Sequence, residues 1–245
     1  MRPLSTLDRR AVLKAMSLAP FAILPSGLAA RAETAGLIST DVCLLQKEVT
    51  EGPFYIDPQL LRSDITEGKP GLPMQLRVQV VTVDCTPMVG ARVDVWHCDA
   101  QGVYSGVRNL GGGPDTEGQS FLRGAQMTDS KGVSTFQTIF PGWYPGRTTH
   151  VHYKVFLDDA TVLTSQIFFD EAVNQAIYAD VESYARPNIR DKLNAQDRIA
   201  TNAGKGAYAK VRMTEPDGAM EAALVVGISP AGESSGLLDW LWKKA

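Results

Sequence analysis

The chain has 245 residues, with 24 Lys and Arg against 27 Asp and Glu, and a formal net charge of −3. No basic run or basic-aromatic patch suggests a nucleic acid partner, and no apolar run after residue 32 is long enough to span a membrane. At 44% hydrophobic and 21% charged residues, the composition suits one domain with a substantial core.

The N-terminus reads as an export signal. Asp8-Arg9-Arg10-Ala-Val-Leu-Lys14 is a twin-arginine pattern, residues 15–29 are mostly apolar, and Ala30-Arg31-Ala32 fits a small-x-small cleavage site. The predicted organisation is a signal peptide over 1–32, a β-sandwich domain over 33–229, and a linker with a short apolar tail over 230–245. The mature protein is expected in the periplasm or secreted, with no stable membrane insertion after cleavage. Three cysteines in an oxidising compartment allow one bridge and one thiol. Cys98 ends an apolar strand and reads as a buried thiol, which leaves Cys43 and Cys85 as the candidate disulfide.

Short strands with Gly and Asp turns follow. From Gln75 to Val83, Leu76, Val78 and Val80 alternate with Gln75, Arg77 and Gln79, the period of a strand. Asp84 to Gly90 is a turn and Ala91 to Cys98 a second strand. Gly102, Gly106 and Gly111-Gly112-Gly113 mark a long loop. Phe121–Thr128, Val133–Phe140, Thr149–Leu157 and Val162–Phe169 read as further strands. Helix is expected in one place only, Asp170 to Tyr178, with Asp170 as the capping residue. Residues 187–198 are polar and ambiguous, and Ala219 to Ile228 is a late strand. The predicted fold is all-β, an antiparallel β-sandwich with a few short helices and long loops.

The chemistry concentrates in Phe140-Pro-Gly-Trp-Tyr-Pro-Gly-Arg-Thr-Thr-His-Val-His152. His150 and His152 are two residues apart, so an extended strand sends both imidazoles to one face. They are two of the chain's three histidines. With a phenol upstream, they suggest a metal that accepts both nitrogen and hard oxygen. Tyr153 points to the opposite face, and His97, late in an apolar strand, reads as a hydrogen-bonded structural histidine.

Four segments together resemble the intradiol ring-cleavage dioxygenases. They are Thr50-Glu-Gly-Pro-Phe-Tyr55, Gly90 to Ser105 with its Val-Trp-His-Cys-Asp and Gly-Val-Tyr-Ser motifs, Thr128 to Tyr144, and His150-Val-His152. The resemblance implies a mononuclear non-haem Fe(III) held by Tyr104, Tyr144, His150 and His152. It implies O2 as co-substrate, a small aromatic diol as substrate, and a muconate-type diacid as product. Arg147 and Gln166 match the arginine and glutamine of that family. Arg147 is assigned to stabilising negative charge, Gln166 to orienting Arg147 or contacting substrate, and Tyr144 to taking up a substrate proton. Gly52, Pro53 and Tyr55, with Arg147, are assigned to the substrate pocket. Tyr144 and His150 are only six apart, and the helical N-terminal domain of the catechol and hydroxyquinol enzymes is absent, so the chain looks most like the compact, secreted branch. A homodimer is expected by the same resemblance. Two other readings fit the residues more loosely. One is a copper-binding redox protein using His-x-His. The other is an exported aromatic- or sugar-binding sandwich without catalysis.

Overall fold

A computed structural model describes residues 45–57, 60–108, 113–214 and 218–229. The signal segment, Cys43 and the C-terminal tail lie outside these residues. Cys85 is in a disulfide, and Cys98 is a free, buried thiol. No described helix is long and apolar enough to cross a membrane.

Among the described residues, eight strands form two four-stranded sheets. They are β1 (Pro73–Thr82), β2 (Arg92–Trp96), β3 (Arg123–Met127), β4 (Val133–Ile139), β5 (His150–Leu157), β6 (Ala160–Phe168), β7 (Lys210–Met213) and β8 (Met220–Ile228). The first sheet runs β4-β1-β8-β7 and the second β3-β2-β5-β6. The sandwich is antiparallel apart from one pair: β1 and β8 run parallel, with Leu76 beside Ala222 and Val80 beside Val226. Parallel neighbours need a long crossover, and every element from β2 to β7 lies between these two.

Alternation builds the core. Leu76, Val78 and Val80 of β1, Phe136 of β4 and Leu224 and Val226 of β8 face Val93 and Val95 of β2 and Val151, Tyr153 and Val155 of β5. At about 25 cal/mol per Å² of apolar surface removed from water, this contiguous layer is the main source of stability. One side of the sandwich is closed by residues 60–65. Arg62 N–H donates to Ala125 O on β3, and Ile65 N–H donates to Gln137 O on β4. One short segment therefore satisfies an edge of each sheet.

Two helices follow β6: α1 (Glu171–Asp180) and α2 (Arg198–Ala203). The helix expected after Asp170 is present, but the Asp170 side chain makes no capping hydrogen bond. The expectation of helix in one place only is corrected by α2, which is too short to show an apolar period. Its cap is strong, since Asp197 accepts from Ile199 N–H and Ala200 N–H. The four-residue edge strand β7 carries no strand signal in the sequence, because its side chains are mostly exposed and follow no alternation.

Candidate metal centre

Strand β5 starts at His150, and its pleat puts His150 and His152 on the face turned away from the core. Tyr104 reaches them from the loop after β2, and Tyr144 from the loop before β5. His150 Nε2 lies 3.0 Å from His152 Nε2, 3.2 Å from Tyr144 Oη, 3.4 Å from Tyr104 Oη and 3.4 Å from Arg147 Nη1. His150 Nδ1 donates to Thr148 O at 2.6 Å. In the neutral ring this leaves the Nε2 lone pair pointing at the cluster. One lone pair cannot serve four polar neighbours.

The electrostatics of the cluster are those of buried neutral groups. Burial, then the Arg147 charge, pushes His150 down to about 3. Burial, followed by the neighbouring His150, holds His152 well below the usual histidine range. Burial raises Tyr144 to about 12 and lifts Tyr104 well above the usual phenol range, with the neighbouring Tyr144 adding to the latter. The imidazoles are therefore unprotonated and free to donate lone pairs, whereas ionised phenols here need a strong positive charge beside them.

A metal ion fits this donor set. Donor atoms about 2.0–2.2 Å from one cation sit about 3–3.5 Å from each other, the spacing found around His150 Nε2. Two imidazoles with two phenols suit a hard, highly charged ion. Among the described residues, no group of three or more His, Cys, Asp and Glu could hold a metal, so the histidine pair needs the phenols to complete a shell.

Aromatic packing fixes the ligand planes. Trp96 stacks on His152 with ring centroids 4.9 Å apart and planes within 9°. Phe54 stacks on Tyr104 at 4.5 Å. Gly52 lies against His152 with φ +72°, and a β-carbon there would come 3.3 Å from His152 Cε1. Only glycine adopts that backbone at low cost so close to a ring. His152 Nδ1 and Trp96 Nε1 are buried without a hydrogen-bond partner.

Arg147 sits beside the cluster as a fixed cation. Its Nε donates to Asp197 Oδ2 at 2.8 Å and its Nη2 to Gln166 Oε1 at 2.5 Å. Gln166 is fully buried and donates in turn to Thr50 O at 2.9 Å. The structure thus brings together Tyr104, Tyr144, His150, His152, Arg147, Gln166 and Gly52. Pro53 is exposed.

Tyr55 does not face the phenols. It donates to Asp94 Oδ2 at 3.0 Å and packs against Trp96 and under Lys154 Nζ. Tyr55, expected on the pocket wall, is not among the residues that line the cavity beside the phenols. From the turn at Pro53 and Phe54, it is Phe54 that lines a cavity of about 380 Å³ with Tyr104, Tyr144, Val107 and Arg186. His97 is structural: Nδ1 donates to Cys98 O at 2.8 Å and Nε2 accepts from Thr138 Oγ1 at 2.7 Å.

Sequence reasoning missed Phe54, Trp96, Asp197 and Arg186. Arg186 lies over the Trp143 ring and donates to Gln101 O and Trp143 O, joining the loops that carry Tyr104 and Tyr144. Phe54 and Trp96 sit inside the quoted motifs. Asp197 and Arg186 lie in stretches without pattern and are recruited by tertiary folding alone.

The two-sheet sandwich carries a buried cluster of two phenols and two imidazoles at the start of β5. A family model described as "Dioxygenase" matches residues 50–214. The chain is 34% identical to an intradiol ring-cleavage dioxygenase from Tetranychus urticae, with TM-score 0.70, covering 77% of this chain and 96% of that one. It is 30% identical over 116 residues to chlorocatechol 1,2-dioxygenase of Pseudomonas sp. (strain P51), covering 40% of this chain and 44% of that protein. It is 29% identical over 139 residues to catechol 1,2-dioxygenase 1 of Acinetobacter lwoffii, covering 47% and 43%. The chain spans about half the length of the curated relatives it matches. The chain belongs to the intradiol ring-cleavage dioxygenase family.

Proposed function

We propose that this protein is a non-haem Fe(III)-dependent intradiol dioxygenase that opens a catechol-type aromatic with O2 to a muconate-type diacid. The observation that carries the reading is the convergence of Tyr104, Tyr144 and His152 on His150 Nε2 within 3.4 Å. Tyr104, Tyr144, His150 and His152 would hold the iron. When bound, the ferric ion supplies a hard Lewis-acidic centre that keeps the phenols ionised and favours a catecholate.

The remaining roles belong to the chain. Tyr144 is half-buried and lines the cavity, so its Oη is placed to take a proton from a substrate hydroxyl. Arg147 Nη1 points at the cluster and offers a fixed positive charge to negative charge developing on the ring, a preorganised electrostatic role. Gln166 accepts from Arg147 and holds that charge in place. Phe54 and Val107 give the cavity apolar walls that limit water around the reacting ring. Export through the 1–32 signal and a homodimeric assembly belong to the same reading.

The test is direct. Protein purified from iron-replete cells should carry about one iron per chain and a visible phenolate-to-iron absorption band, and Tyr144→Phe should shift or bleach it. Anaerobic titration with a panel of catechols, then oxygen admission, should give O2 uptake and a diacid by product mass. A colourless, iron-free protein would sink the metal assignment. Tight binding of catechols without O2 uptake would favour a binding protein instead.

A further inference from the structure

Asp197 lies outside every motif that points to the site, yet its carboxylate is tied to it twice. The residue is 2% exposed. Oδ2 accepts from Arg147 Nε at 2.8 Å and from Thr148 N–H at 2.9 Å. Oδ1 accepts from Ile199 N–H at 2.8 Å and Ala200 N–H at 3.1 Å. Burial alone would raise this carboxyl. The Thr148 N–H and the Arg147 guanidinium outweigh burial and hold it below the usual range, so it is an anion at neutral pH.

Its two partners are adjacent residues with different tasks. Arg147 has Nε on Asp197 and Nη2 on Gln166, and these two acceptors fix the guanidinium plane. Nη1 is then left 3.4 Å from His150 Nε2. Thr148 offers its carbonyl to His150 Nδ1 and its hydroxyl to Asn194 Oδ1 at 2.6 Å. Thr148, whose carbonyl orients His150, is therefore held through its N–H on the same carboxylate that orients Arg147. Capping a six-residue helix requires none of this, because Oδ1 alone performs it.

Resting on the function proposed above, we infer that Asp197 is a positioning residue of the reaction: it fixes the Arg147 guanidinium against the His150 face of the site. A half-buried arginine without this anion loses both its charge balance and the acceptor that sets its plane. The flexible side chain then samples positions from which Nη1 no longer points at the cluster. Misplacement of a charge by about 1 Å is enough to cost about 100-fold in rate.

A double-mutant cycle tests this, using wild type, Arg147→Gln, Asp197→Asn and the double variant, each loaded with iron. Asparagine caps helices about as well as aspartate, so Asp197→Asn removes the charge while leaving a capping oxygen. Steady-state kcat is measured by O2 uptake with saturating catechol, at raised enzyme concentration for slow variants. Thermal midpoints of the metal-free proteins give a second readout independent of turnover.

Asp197→Asn is expected to lower kcat roughly 10–100-fold in the wild-type background and less than about threefold when Arg147 is already Gln. It should also lower the thermal midpoint more in the wild-type background, where it strands a half-buried cation, than in the Arg147→Gln background. Losses in kcat that multiply across the two sites would overturn the inference, whatever the midpoints do, and leave Asp197 as a helix cap. Failure of the wild-type protein to turn over any catechol would instead overturn the proposed function, and the thermal cycle would still decide whether Arg147 and Asp197 are coupled.

Discussion

Strand β5 has two faces, and they obey different rules. On one face Val151, Tyr153 and Val155 enter the core between the sheets. On the other, His150 and His152 meet Tyr104, Tyr144 and the ring of Trp96. Both faces are almost fully buried. The inner face gains from burial because its atoms are apolar. The outer face buries polar atoms at a cost, leaving His152 Nδ1 without a partner and four polar groups crowded on His150 Nε2. A strand that carries stability on one side can hold strained polar chemistry on the other, because alternation keeps the two apart.

The sharpest way to break this contrast is to change the outer face alone. His150→Ala should bring iron content and dioxygen uptake to background, as read by metal analysis and an oxygen electrode. The metal-free protein should still unfold cooperatively in urea. If this variant retained its iron, the outer face would not be the metal site. The converse variant, Phe136→Ala on the inner side, should cost about 3–5 kcal/mol of stability by urea denaturation, while the iron-loaded protein that remains folded keeps its visible band. A bleached band in folded protein would show the two faces to be coupled.

The smallest expected effect concerns His97, a buried histidine away from the cluster, pushed down to about 4 chiefly by burial. The unfolded chain takes up this proton near pH 6.5, whereas the folded chain resists it until about pH 4. Stability from neutral His97 is therefore intact above pH 6.5 and is lost as pH falls from 6.5 toward 4, by on the order of 1 kcal/mol per pH unit. Urea midpoints of wild type and His97→Gln across this window should converge toward low pH. Parallel curves would mean that His97 is not held neutral by its burial.

The parts of the fold legible in the sequence were those where a period repeats. Leu76, Val78 and Val80 announced β1, and the two-residue spacing of His150 and His152 announced one shared face. The resemblance then supplied Tyr104, Tyr144, Arg147 and Gln166 as candidates, and these side chains do lie together. Helix α2 and strand β7 were not legible, being too short to show a period. Asp197 was invisible for another reason. In the chain it lies in the polar, ambiguous stretch 187–198, which points to no particular role. Its contacts with Arg147 and Thr148 arise only when the segment after β6 folds back over the start of β5. Tyr55 and Phe54 show a finer limit: a motif identifies a segment, but which of two neighbouring aromatics faces the cavity depends on the local turn.

The parallel pairing of β1 with β8 constrains the order in which the molecule can form. Met74 lies beside Met220 and Thr82 beside Ile228, so the first strand of the sheet is completed by the last. A ribosome delivers the chain from the N-terminus, and pairings so distant in sequence are slow to close. Until β8 emerges, β1 can pair only with β4, and its other edge stays open to chaperones or to another nascent chain. Chains truncated before Met220 would therefore carry every side chain of the phenol-imidazole cluster and still lack the strand that seals the opposite sheet.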